Sequence, residues 1–441
     1  MYFKATFIQR VIRCCRLFFC PLFLILFSPL AVFLILYTNL HLDGSFEQLF
    51  ETIHQDGLFS VLEIAWFPYF FGSETAWKIL GIYAVFELVL MKYLPGKTFL
   101  GPTTPAGNIP IYKANGPLAY AITLITFVMT SFYFNLFSPT LLYDHFAEIL
   151  GALNFFSFCL CIFLLIKGRL YPTDTDSGSS GHLIFDFYWG AELYPRILGW
   201  DVKMFTNCRA AMMGWPLLII SFAAKQHEVY GINDSMIVAV ALQLIYISKF
   251  FYWETGYLGS LDIMHDRAGY YICWGVLVWL PGIYTSPTFY LVNHPVHLGI
   301  WLSAIILSLG SISIAINYWA DRQRQNVRTR RGDCKIWGKP PVLTLARYTT
   351  EKGEKKENLL LASGWWGISR HFHYIPEICA AFFWSVPALF THFLPYFYLV
   401  FLTILLIERA FRDDRRCSLK YGDDWQQYCQ HVPYKIIPYV I

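Results

Sequence analysis

Two clusters of arginine, lysine and acid in the C-terminal third of this 441-residue chain have the residue types to hold a phosphorylated, aromatic ligand. The first, between Trp319 and Pro376, carries Arg322, Arg324, Arg328, Arg330, Arg331, Lys335, Lys339, Arg347, Lys352, Lys355, Lys356 and Arg370 against five acids. The second runs Arg412, Asp413, Asp414, Arg415, Arg416, Cys417, Ser418, Leu419, Lys420, Tyr421, with Trp425 and Tyr428 beyond it. Arginine forks bind phosphates, a carboxylate accepts from a ribose or amide, and aromatic faces stack on rings. Arg324 and Arg328 are four apart, so a helix would project both from one face. Attraction to anionic lipid headgroups, about 1 kcal/mol per residue, would account for the arginines alone. It does not call for the acids and aromatics among them.

A second set of polar residues lies beside apolar segments: Glu254 and Tyr257, then Asp262, His265 and Asp266. Ionisable groups there are costly and tend to face a cavity or one another. Asp262 and Asp266 would share a face if helical. The set reads either as a buried network that fixes packing or as a proton donor with its support. No second histidine stands at ligand spacing, so no metal is expected. Leu361 to Tyr374, with Trp366 and His373, is too polar for a free span and too aromatic for an exposed loop. It is expected to line a cavity. No Gly-x-Gly-x-x-Gly or Gly-Lys-Ser/Thr loop is present, so a dinucleotide would not be held by a Rossmann domain.

The elements that must position these residues are membrane helices. The chain is 56% hydrophobic and only 15% charged, and its apolar residues come in runs. A helix needs about 20 apolar residues to cross a roughly 30 Å hydrocarbon core. Spans are predicted at Leu17–Thr38, Trp77–Leu94, Leu118–Phe137, Ile149–Ile166, Cys208–Ala224, Ser235–Tyr252, Tyr270–Tyr284, Leu298–Ile316, Glu377–Leu389 and Leu394–Ile407, an all-α fold of about ten helices. Lys4, Arg10, Arg13 and Arg16 place the N-terminus in the cytosol, and residues 39–75 lack Lys and Arg and should face the lumen. The chain then divides into a basic N-terminus (1–16), eight helices around a cavity (17–318), a basic cytosolic loop (319–376), a helical hairpin (377–407) and a cytosolic C-terminal segment (408–441). The cysteines read as reduced thiols, and the Asn233-Asp234-Ser235 triplet as an unused glycosylation signal. The expected partners are lipids, not nucleic acid.

Several blocks carry a family resemblance: residues 107–116 (Gly-Asn-Ile-Pro-Ile-Tyr-Lys-Ala-Asn-Gly), 186–196 (Asp-Phe-Tyr-Trp-Gly-Ala-Glu-Leu-Tyr-Pro-Arg), 222–226, 291–296, 363–377 and 412–421. In these the chain resembles the sterol reductases, from about Leu24 to Ile441. The resemblance implies a ten-helix fold, NADPH bound from the cytosol by the C-terminal half, and a sterol entering from the bilayer of the endoplasmic reticulum, or of the inner membrane in a bacterium. It implies cofactor contacts at Arg324, Arg328, Leu361, Trp366, His373, Tyr374, Asp413, Cys417, Ser418, Leu419, Lys420, Tyr421 and Tyr428. Arg324 and His373 stand where animal members have Lys and Asn.

The reaction so implied is loss of the C7–C8 double bond of a Δ5,7-sterol. Protonating the diene gives an allylic cation, which hydride then quenches. Glu254, Asp262, His265, Asp266 and Tyr374 are the candidate catalytic residues, with Tyr257 a further possible donor and Trp365, Trp366 and Phe372 shielding the cation. Reduction at Δ14 or C24, a sterol-binding protein without catalysis, and a methyltransferase of the isoprenylcysteine type, on Tyr421-Gly422, Tyr428 and Val432-Pro433, are the alternatives. Other sterol-pathway enzymes are conceivable partners.

Overall fold

A computed structural model describes residues 14–350 and 353–440. Lys4, Arg10 and Arg13, which carry most of the cytosolic expectation for the N-terminus, lie outside the described residues. Every predicted span falls on a helix: α1 (Cys15–His41), α2 (Glu74–Tyr93), α3 (Gly116–Tyr133), α4 (Phe146–Leu170), α5 (Met212–Tyr230), α6 (Asp234–Tyr252), α7 (Tyr270–Asn293), α8 (Gly299–Thr329), α9 (Tyr374–Ser385) and α10 (Leu394–Tyr421). Among the described residues seven, α1, α3, α4, α6, α7, α8 and α10, are long and apolar enough to cross a bilayer. The protein is an all-α polytopic membrane protein.

The gap between seven and ten has a physical cause. Helices α2 and α5 have the length but carry polar groups such as Glu87 and Gln226, both buried. Helix α9 has 12 residues, about 18 Å at 1.5 Å per residue, and does not span by itself. A short 3-10 turn at Val386–Ala388 follows it, and α10 itself opens on another at Leu394–Tyr396.

Small residues let the site-bearing helices approach. A Cβ on Gly310 of α8 would lie 2.6 Å from Leu242 Cδ2 of α6 and 3.0 Å from Phe383 Cβ of α9. Trp215, Trp384, Tyr290 and Tyr398 are among the largest fully buried side chains, and α5, α7, α9 and α10 meet around them. All eleven cysteines are free thiols, and Asn233 is buried.

Strands are few. Antiparallel pairs join β1 (Lys97–Leu100) to β2 (Ile111–Ala114), β3 (Arg196–Ile197) to β4 (Trp200–Asp201) and β5 (Leu343–Thr349) to β6 (Lys355–Leu361). The third hairpin matters most. Its Ala346 and Leu360 pack with Cys417 and Tyr421 of α10, with Trp425 and Tyr428 of α11 (Asp423–His431), and with Val432. Stretch 319–376 therefore holds the continuation of α8 through Thr329, this hairpin and the entry to α9, with Arg324 and Arg328 on one helix as their spacing required.

Candidate active site

Helix α8 presents Arg324 towards the aromatic segment before α9. Its guanidinium lies 4.3 Å from the Trp366 ring centroid and 3.2 Å from Asp321. Trp366 is fixed by its indole N–H donating to the Ala320 carbonyl (2.7 Å). The rings continue as a train: Trp366 to His373 at 4.9 Å, His373 to Tyr374 at 4.4 Å, and His371 stacked on Tyr374 at 5.1 Å. Asp413 of α10 closes the far side, bound to Arg416 at 2.7 Å and 3.9 Å from His371 Nε2. Burial, with Arg324 and Arg370 nearby, outweighs the pull of Asp413 and pushes His371 down to about 4. Burial and Arg324 likewise hold His373 well below its ordinary value. Both rings are neutral at physiological pH. His371 Nε2, His373 Nδ1, Ser369 Oγ and Arg370 Nε are buried with no hydrogen-bond partner among the described residues.

The hairpin side completes the cluster. Tyr428 donates to the Leu361 carbonyl (3.0 Å), Tyr421 receives Asn358 Nδ2 (2.8 Å), and the Lys420 ammonium lies 3.8 Å from the Tyr348 ring centroid. Arg328 is solvent-accessible, with Cys417, Tyr421 and Tyr428 within electrostatic reach. The structure thus brings together Arg324, Arg328, Leu361, Trp366, His373, Tyr374, Asp413, Cys417, Lys420, Tyr421 and Tyr428. It does not bring Ser418 and Leu419 to them. Both are exposed, Leu419 at 91%, because helical spacing turns them away from the face that carries Asp413, Cys417 and Tyr421.

The predicted acids are dispersed. Glu254 is buried in an ion pair with Arg209 (2.6 Å) and accepts the Gly116 amide (2.8 Å) at the start of α3. A Cβ on Gly116 would sit 2.6 Å from that carboxylate, so glycine is what allows the approach. Asp262 and Asp266 do not share a helical face. The helix there covers only Leu261–Met264, and each acid has its own arginine: Arg409 Nη2 donates to Asp262 (2.5 Å), and Arg412 lies 3.3 Å from Asp266. His265 Nδ1 is 2.8 Å from Asp266. Burial works to raise Asp266, but the His265 hydrogen bond and the charges of Arg412 and Arg409 outweigh it and hold the carboxyl low. Tyr374 links the two regions, with Arg409, Asp413, Arg324 and Asp262 all within electrostatic reach.

One constellation was not found from the sequence. The Tyr246 hydroxyl of α6 donates to the Glu377 carboxylate of α9. Around Tyr246 stand Trp215 (6.0 Å) and Trp384 (5.3 Å), with Tyr284 5.6 Å from Trp215 and Tyr398 4.5 Å from Tyr284. One turn along α6, Lys249 donates to Asn317 (2.5 Å), whose amide reaches the His373 carbonyl (2.9 Å). This joins the box to the Trp366 train. The available signal was Lys249, an ionisable residue inside an apolar span.

The membrane helices thus bury a phenol–carboxylate pair beside a basic, aromatic cluster. Residues 23–441 match the model of the ergosterol biosynthesis ERG4/ERG24 family, and the chain belongs to this sterol reductase family. It is 52% identical over 417 residues, 94% of this chain and 95% of the relative, to 7-dehydrocholesterol reductase of Arabidopsis thaliana. It is 38% identical to 7-dehydrocholesterol reductase of Xenopus laevis, covering 82% of this chain and 80% of the relative. To Delta(14)-sterol reductase of Methylotuvimicrobium alcaliphilum it is 36% identical, covering 83% of this chain and 84% of the relative.

Proposed function

We propose that this protein is an NADPH-dependent reductase of the C7–C8 double bond of Δ5,7-sterols. The observation that carries the reading is the joining, through Lys249, Asn317 and His373, of an aromatic box holding a phenol–carboxylate pair to the Arg324–Trp366 cluster. The choice of Δ7 rests on 52% identity to a relative named for that reaction, against 36% to a Delta(14)-sterol reductase.

The cluster fits NADPH. Arg324 and Arg328 supply cationic forks for phosphates, the Trp366 face a stacking surface, and the unpartnered atoms of His371 and His373 polar contacts for a carboxamide or ribose. Bound NADPH supplies hydride for the reduction. The chain's own residues do the rest. Tyr246, backed by Glu377, donates the proton to the diene. Trp215, Trp384, Tyr284 and Tyr398 face the resulting allylic cation with π-electron density and exclude water that would trap it. Tyr374 and Asp413, within the cluster, orient the ring stack. Endoplasmic reticulum membrane is the setting this reading implies, with lipids and other sterol-pathway enzymes as neighbours.

The test is to incubate membranes carrying the protein with NADPH and 7-dehydrocholesterol, then with Δ14 and Δ24 sterols, and to identify products by gas chromatography with mass detection. Conversion of the first alone is expected. Conversion of a Δ14 sterol alone would move the assignment to the second activity named among the relatives. No conversion by folded, NADPH-bound protein would leave a sterol-binding role.

A further inference from the structure

Each turnover consumes one proton, and the box that would spend it is buried, with Trp215, Trp384 and Tyr398 at most 2% exposed. A path for replacement must exist, and the surface shows one acid–base dyad with the required shape. His265 is 35% exposed and its Nδ1 is 2.8 Å from Oδ1 of Asp266, which is fully buried. The second carboxylate oxygen, Oδ2, is buried and has no partner among the described residues. One end of the dyad meets water while the other ends inside the protein on an empty acceptor.

The surroundings hold this arrangement rigidly. The Lys203 ammonium, itself buried, donates to the backbone carbonyls of Ile263 (2.8 Å) and Asp266 (2.5 Å) and so fixes the turn that carries both residues. Trp189 packs edge-on against His265 at 5.8 Å and stacks on Tyr271 at 5.8 Å, with the Arg412 guanidinium 5.7 Å from the Tyr271 ring. Near Asp266, Asp262 is paired to Arg409, and Tyr284, a wall of the aromatic box, has Arg409, Asp262, Tyr271 and Glu377 within electrostatic reach.

We propose that His265 and Asp266 form the proton entry of this protein, carrying protons from the cytosol towards Glu377 and Tyr246. The inference rests on the reductase reading above. The overall change balances as one hydride from NADPH and one proton from the cytosol added across the sterol double bond, leaving NADP+. His265 takes a proton from water at its exposed nitrogen and releases the other through Nδ1 to Asp266 Oδ1. A water hydrogen-bonded to Oδ2 takes the proton on, which restores the carboxylate, and the imidazole, left as its Nε2–H tautomer, resets by a ring flip that returns an N–H to Asp266. The charged and titratable groups that face the dyad are Arg412, Arg409, Asp262, Lys203, Tyr188 and Tyr271. The His265 hydrogen bond and the Arg412 and Arg409 charges keep Asp266 ionised between transfers, so it conducts a proton without storing it.

The experiment compares the full-length protein with His265→Ala and His265→Gln in membranes, reading turnover with and without added imidazole, and NADPH binding by fluorescence quenching. Loss of a positioned proton carrier predicts a fall in kcat of about tenfold or more, with NADPH affinity and the KM for sterol unchanged. Imidazole is expected to restore turnover in His265→Ala by filling the vacated space, and less in His265→Gln. A kcat that is unchanged in both variants, or a loss that imidazole at any concentration leaves in place, overturns the inference. Wild-type protein that binds NADPH yet reduces no sterol would instead sink the reductase reading.

Discussion

The guanidinium of Arg324 lies 4.3 Å over the ring of Trp366, so the helix that leaves the membrane and the segment that re-enters it share one cationic, aromatic surface. Cation–π pairing at a partly desolvated site contributes about 1–2 kcal/mol. Trp366→Ala is therefore expected to weaken NADPH binding about tenfold or more, with helix content unchanged. Arg328→Ala, which removes an accessible charge beside the same surface, should weaken it by a similar factor, since a charged contact contributes about 1.5–3 kcal/mol. Titration of NADPH by fluorescence checks both, and unaltered affinity in Arg328→Ala would assign that arginine to lipid.

Tyr246 and Glu377 are hydrogen-bonded across α6 and α9 inside the aromatic box. A phenol that donates the reacting proton cannot be replaced by Phe without loss of turnover, whereas binding of NADPH at the Arg324–Trp366 cluster should persist. Tyr246→Phe is expected to lower kcat by a factor of about 100 or more at unchanged NADPH affinity. Single-turnover product analysis by gas chromatography would show it, and near-normal turnover would remove Tyr246 from the chemistry.

Glu254 is expected to matter for stability and not for chemistry. Removing one member of a buried ion pair leaves the other charge uncompensated, at a cost of about 3–5 kcal/mol. Arg209 is fully buried, and its Nη2 depends on Glu254 and Asn115. Glu254→Ala should thus lower the melting temperature in detergent markedly, while the protein that remains folded turns over normally. Turnover lost at an unchanged melting temperature would return Glu254 to the catalytic set.

His371 gives the site a pH dependence. Its folded value is pushed down to about 4 by burial, below the ordinary histidine value of about 6.5. Between these limits the unfolded chain binds the proton and the folded chain does not, so unfolding becomes easier as pH falls. The stability conferred by the neutral ring is complete above about pH 6.5 and is lost progressively towards pH 4. Melting temperatures at pH 7, 6 and 5 should decline, and His371→Gln should flatten that decline.

The order of helices, their approximate bounds and the placing of Arg324 and Arg328 on one face were legible in the sequence, because hydrophobic length and 3.6-residue spacing are local properties. The residues expected at the cofactor site were named one by one through the family blocks. Two of them, Ser418 and Leu419, lie outside the assembled cluster because α10 runs unbroken to Tyr421 and turns them outward. Of the acids read as one group, Glu254 stands apart because it pairs with Arg209 of the helical segment Met204–Ala211, while Asp262 and Asp266 pair with Arg409 and Arg412 of α10.

What the sequence by itself determined is therefore the membrane class, the family and the residue types of the basic, aromatic cluster, since runs of apolar side chains and local motifs need no tertiary partner to be recognised. What only the tertiary structure decided is which polar groups meet. Tyr246 and Glu377 are separated by 131 residues and Lys249 and Asn317 by 68, and no spacing rule joins them. They come together because buried donors and acceptors at membrane depth must find partners within the protein, and helix packing chooses which ones are in reach.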